Sequence, residues 1–243
     1  MFVPLHDDTP LKVIRFQFVT IAIIAGNILV FLMTGAFQSE TMLAGVATSF
    51  GVVPSDLTTA FSQNIPYSPI PEPLTFLTYM FLHAGWLHLI SNMLFLWVFA
   101  DNVEDAMGHV RFLVFYILCG LVGGGAHLLF NVASQAPLVG ASGAISGVLA
   151  AYLLLYPRVR VFGLAFNILP VSIPVWLALG TWVVLQIFHL VTAQGGATAW
   201  WAHVGGLAAG AALVGIMKNR DVVFFSHERR LPVTVPHFPL KRR

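Results

Sequence analysis

Charge is what this chain has least of. Of its 243 residues only 9% are Asp, Glu, Lys or Arg, while 58% are hydrophobic, and the mean hydropathy is +0.83. Soluble domains carry roughly a quarter charged residues, so a water-soluble globule of this length is excluded and lipid must cover much of the surface. The formal net charge of +2 is too small to suggest a nucleic-acid partner. Cysteine is nearly missing as well. Cys119 stands alone in an apolar run, which excludes a disulfide framework and a thiolate metal site.

What the chain does have is long apolar runs. A lipid-exposed backbone can satisfy its polar groups only in helices or closed barrels, and a spanning helix needs about 20 residues. Six segments qualify, at 16–37, 87–100, 112–130, 142–156, 173–191 and 201–217. The second and fourth are short, so their ends must run into the flanking residues. The first is longer than the apolar region of a signal peptide and lacks a small-residue cleavage site, so it is read as a retained span. The expected fold is an all-α polytopic membrane protein, a bundle of six transmembrane helices.

The basic residues orient it. Lys12 and Arg15 precede the first span, Arg111 follows the second, Arg158 and Arg160 follow the fourth, and the other seven follow the sixth. All therefore fall on one side, which the positive-inside rule makes cytoplasmic, with both termini there. The segments 38–86, 131–141 and 192–200 face outward and hold no basic residue. The expected divisions are a short cytoplasmic N-terminus (1–15), a six-span unit (16–217) and a basic cytoplasmic tail (218–243). The long outward segment 38–86 is expected to pack on the bilayer interface. Without further domains or targeting features, the expected setting is a bacterial cytoplasmic membrane; the oligomeric state is not legible.

Polar groups inside spans are costly and ask for a partner or a function. His83, His88, His127, His189 and His203 all fall near the outward ends of spans, as do Ser142 and Asn92. In Gly140-Ala-Ser142-Gly143 a serine flanked by glycines opens a helix, where close approach is easy and unpaired N–H groups can receive an oxyanion. Gly143-x-x-x-Gly147 also has the form of a helix-packing motif. On the last span His203, Gly206 and Gly210 share one face; if it packs on the Gly143/Gly147 ridge, the imidazole reaches Ser142 as a general base. His88 and Asn92, four apart, can both aim donors at an oxyanion, although His127 and Asn131 repeat the spacing. No carboxylate lies at that depth, so a Ser-His dyad with its base oriented by packing is expected rather than a triad. The histidines could instead hold a metal, but there is no His-Glu-x-x-His pattern.

Taken together, Phe81-Leu-His83-Ala-Gly-Trp-Leu-His88-Leu-Ile-Ser-Asn92, Leu96-Trp97, Glu104-x-x-x-Gly108, Gly140-x-Ser142-Gly143 and Ala202-His203-x-x-Gly206-x-x-x-Gly210 resemble the rhomboid family of intramembrane serine proteases in order and spacing. The resemblance implies Ser142 as nucleophile, His203 as base, His88, Asn92 and the Ser142 N–H around the oxyanion, and His83 as structural. It implies no cofactor, and as substrates membrane-anchored, single-span proteins cut near the outward end of their helix. A non-catalytic rhomboid-like binding module is the alternative. Three features depart from the family. The first outward loop has no Trp-Arg pair, Ala100 stands where a glycine is common, and Ser146 takes the place of an aromatic residue that often stacks on the base.

Overall fold

The computed structural model describes residues 2–35, 38–63, 66–166, 168–192 and 199–226. The chain is mostly helical: α1 (Phe18–Thr34), α2 (Glu40–Phe50), α3 (Pro54–Gln63), α4 (Thr75–Thr78, between 3-10 turns), α5 (Trp86–Met107), α6 (His109–Phe130), α7 (Ser142–Leu155), α8 (Val175–Val191) and α9 (Trp200–Met217). A helix occupies each of the six apolar segments. Among the described residues, only α6 and α9 are individually long and apolar enough to cross a membrane. A third candidate arises if Glu72–Phe81 and α5, bent by 82° from each other, count as one span. The six-span count therefore rests on shorter helices, α1, α7 and α8, which at ~1.5 Å per residue fall short of a ~30 Å hydrocarbon core.

The all-α expectation is corrected in one respect. Residues Phe2–Asp7 form β1, which pairs antiparallel with β2 (Arg160–Ala165), itself antiparallel to β3 (Leu169–Pro174). The N-terminal residues are thus tied to the connection between α7 and α8. Of the expected tail, residues 227–243 lie outside the described residues, as do 36–37 at the end of the first expected span and most of 192–200.

One end of the bundle is built on buried acceptors. Glu104, fully buried in α5, accepts from the Val19 and Thr20 N–H groups and the Thr20 hydroxyl, satisfying donors that α1 leaves unpaired in its first turn. His109 Nδ1 lies 2.5 Å from the same carboxylate. Asp105 accepts from the backbone of Lys12, Val13 and Ile14, and Asp7 from Asn102 Nδ2 and the Tyr152 hydroxyl. Asn219 N–H reaches Ala106 O, so the chain leaving α9 returns to the same end. Between α5 and α6 the chain reverses at Gly108, whose φ of +79° side chains rarely tolerate.

At the centre, α7 and α9 run side by side with almost no space between backbones. A Cβ at Gly206 would overlap the Gly143 carbonyl oxygen, and one at Gly210 the Gly147 carbonyl oxygen. Position 206 thus sits opposite 143 and 210 opposite 147, which makes the helices parallel and in register. Gly123 of α6 closes on the same spot, where a Cβ would come within 2.8 Å of Ala202 O. Small residues that allow such approach are the usual means of packing helices where lipid removes the hydrophobic drive.

Candidate active site

Ser142 is the first residue of α7 and His203 the fourth of α9. Because α7 and α9 are in register at their glycine rungs, the residue one turn before Gly206 is level with the start of α7. His203 Nε2 lies 2.8 Å from Ser142 Oγ. Ser142 is partly exposed, whereas His203 is buried. A hydroxyl in reach of water and a base shielded from it is the arrangement a serine nucleophile needs.

The backbone leading into Ser142 is unusual. Gly140 has φ +120° and donates its N–H to the Tyr79 carbonyl. A Cβ there would clash with His88, 2.7 Å from its Nε2, and would lie 3.7 Å from Asn92 Nδ2, so glycine lets the His88 ring close on this turn with Asn92 beside it. The Ala84 N–H donates to His88 Nδ1 at 3.4 Å. An imidazole accepting at Nδ1 carries its proton on Nε2, the atom turned toward Gly140. Asn92 Nδ2 is buried with no hydrogen-bond partner among the described residues. Two donors from α5 therefore converge just ahead of the serine.

His83 lies edge-on to His88, ring centroids 5.0 Å apart, and is 2% exposed with neither ring nitrogen hydrogen-bonded among the described residues. It holds the His88 ring by packing. Gly143, Gly206 and Gly210 form the close α7–α9 crossing described above. The competing pair behaves differently: Asn131 Nδ2 donates to the His127 carbonyl, closing the end of its own helix. His189 stacks on Trp200 at 4.7 Å, and Trp200 is edge-on to His203. Among the described residues no three His, Cys, Asp or Glu side chains gather as a metal-binding group.

Two residues were missed in the sequence. Gln186 of α8 is buried, and its Oε1 lies 2.7 Å from His203 Nδ1; a carboxamide in an apolar span was the available signal. Tyr79 donates its hydroxyl to Gly120 O while its carbonyl holds Gly140, linking α6 to the turn before Ser142. The expectation that packing alone would orient His203 is therefore corrected, because Gln186 of α8 also holds its ring by a hydrogen bond. Trp182, tilted, and Trp200, edge-on, each lie 6.0 Å from the His203 ring, while Ser146 donates instead to the Ser142 carbonyl.

The family model for the Rhomboid domain matches residues 70–220, well over half of the chain. The chain belongs to the rhomboid family. Among its relatives, presenilin-associated rhomboid-like protein A, mitochondrial, of Danio rerio is 30% identical over 62% of this chain and 40% of its own length. Rhomboid-like protein 11, chloroplastic, of Arabidopsis thaliana is 37% identical over 35% of this chain and 30% of its own length. Rhomboid protease GluP of Bacillus subtilis is 44% identical over 32% of this chain and 15% of its own length. The chain thus spans less than half the length of these relatives. Family membership and the apolar helices support an integral membrane protein, whereas relatives from two organelles and a bacterium do not single out the expected bacterial cytoplasmic membrane.

Proposed function

We propose that this rhomboid protein is an intramembrane serine endopeptidase in which Ser142 attacks the scissile carbonyl and His203 takes its proton. The observation that carries the reading is the 2.8 Å Ser142–His203 hydrogen bond set beside His88 Nε2 and Asn92 Nδ2, the latter without a partner among the described residues. In the proposed course, Nε2 of His203 removes the hydroxyl proton as Oγ bonds to the carbonyl carbon. The tetrahedral oxyanion is received by His88 Nε2–H, Asn92 Nδ2–H and the Ser142 N–H, and the leaving amine takes the proton back from His203. Water then hydrolyses the acyl-enzyme by the same relay.

Its proposed substrates are membrane-anchored, single-span proteins, cut near the outward end of their helix. The basic residues Lys12, Arg15, Arg111, Arg160, Lys218 and Arg220 lie on segments joined at the Glu104/Asp105 end, whereas Ser142, His203 and His88 sit at the opposite ends of their helices. With the basic end cytoplasmic, six spans and both termini inside, the serine opens toward the outer face of a bacterial cytoplasmic membrane. Because α7 is only 14 residues long, Ser142 starts below that face. The backbone before it is non-helical but buried against Val52 and Tyr79, which is how such backbone is tolerated at membrane depth. A substrate helix must unwind to present a carbonyl there, so helix-breaking residues and a small residue at the cut should favour cleavage.

The test is to reconstitute the full chain in liposomes with a single-span reporter and compare it with Ser142→Ala. Cleavage by the parent and none by the variant is expected. Equal cleavage by both would overturn the assignment, and reporter capture with no cleavage by either would favour the non-catalytic binding module.

A further inference from the structure

We infer that Gln186 is a positioning residue that sets the tautomer of His203, so that the working unit draws Ser142, His203 and Gln186 from three different helices. The inference rests on the reading of Ser142 and His203 as nucleophile and base. A neutral imidazole has one N–H and one lone pair, and which nitrogen holds the proton follows from its partners. Here Gln186 Oε1 lies 2.7 Å from Nδ1 and Ser142 Oγ 2.8 Å from Nε2. The amide oxygen only accepts, so the proton belongs on Nδ1 and the Nε2 lone pair faces the hydroxyl, as a general base requires.

The direction of the amide is itself held. Gln186 Nε2 points at the carbonyl of Trp182, one turn earlier on α8, at 3.4 Å. Flipping the amide would set two oxygens against each other there and an NH2 against Nδ1–H. Gln186 is 5% exposed, so water does not compete readily for either group. The nearby rings cannot do this work. Trp182 and Trp200 each lie 6.0 Å from the imidazole and offer no acceptor; they limit the ring plane while the amide decides the proton.

Gln186 also ties the base to α8. That helix buries only Val175, Leu179 and Gln186, and the first two belong to its opening turns. Gln186 is the buried residue through which the far half of α8 engages the site, so displacing that half breaks the bond to Nδ1. Competence of His203 then depends on α8 being docked.

The experiment uses the full chain in liposomes with a single-span reporter and compares Gln186→Leu, Gln186→Met and Gln186→Glu with the parent, measuring kcat, KM, the rate of fluorophosphonate labelling and the melting temperature. Without an acceptor the Nε2–H tautomer competes, so Leu and Met should lower kcat and labelling rate together, about 10- to 100-fold given what general-base catalysis contributes, with KM near the parent value. Glu, which restores an acceptor at the same reach, should recover activity to within several-fold. Leu and Met variants that fold and label at the parent rate would overturn the inference, as would a Glu variant no better than Leu at equal melting temperature. Failure of the parent to label at all would instead overturn the reading of Ser142 and His203.

Discussion

Gly206 of α9 sits against Gly143 of α7 so closely that a Cβ on it would overlap the Gly143 carbonyl oxygen. This crossing, one turn from His203 and at the residue after Ser142, sets how far apart the hydroxyl and the imidazole can be. Gly206→Ala should therefore push the helices apart, costing about 1–3 kcal/mol of overpacking and most of the cleavage activity. Gly180, whose added Cβ would meet nothing within 4 Å, is the matched control. Gly180→Ala should be neutral or stabilising by a few tenths to ~1 kcal/mol, because alanine loses less backbone entropy in a helix. Thermal unfolding and reporter cleavage on the two variants check both.

The two His-x-x-x-Asn pairs should separate cleanly. Asn92 Nδ2 is a buried donor near Gly140 with no partner among the described residues, whereas the Asn131 amide is already spent on the His127 carbonyl. Asn92→Ala should lower kcat about 100-fold, the usual scale for one lost oxyanion donor, with KM little changed. Asn131→Ala should leave kcat near the parent value. The reverse result in steady-state kinetics would move the oxyanion site to α6.

Glu104 should matter for stability and not directly for chemistry. It accepts three hydrogen bonds from the first turn of α1 and lies beside His109. Glu104→Ala orphans the buried Thr20 N–H and the partly buried Val19 N–H and should cost about 2–4 kcal/mol, given ~1.5–3 kcal/mol for bonds to charged groups. A lower melting temperature, with α1 amides exchanging faster than those of α9, is the expected readout.

The β1 strand should dock more tightly in acid. Burial pushes the Asp7 carboxyl above its ordinary value, against the opposing pull of the Tyr152 hydrogen bond. Folding therefore favours the protonated form; the stabilisation is full below the unfolded-state value and is lost as pH rises through the raised folded one. Asp7→Asn keeps an oxygen acceptor without the charge and should flatten this dependence. Amide exchange of residues 2–7 across mildly acidic to neutral pH measures it directly.

What could be read from the sequence was what is local or periodic. The six helices announce themselves as apolar runs, and the Gly143/Gly147 and Gly206/Gly210 spacings foretold a close crossing because each lies on one helix face. The sheet left no such trace: β1 is only six residues long and pairs with a strand more than 150 residues away, so its register depends on contacts that no window contains. Gln186 escaped for a related reason. Within α8 it is an isolated polar residue, and its meaning comes from His203 on the next helix. The departure at Ser146 was visible, but not that α8 would supply the missing support through Trp182 and Gln186.

The central claim is that the Ser142 hydroxyl, activated by His203, is the nucleophile. The most direct measurement is fluorophosphonate labelling of the detergent-solubilised full chain followed by peptide mapping. The account predicts one covalent adduct on Ser142, absent in Ser142→Ala and slowed at least about 100-fold in His203→Ala. An adduct mapped to another residue, or labelling undiminished in Ser142→Ala, would contradict it.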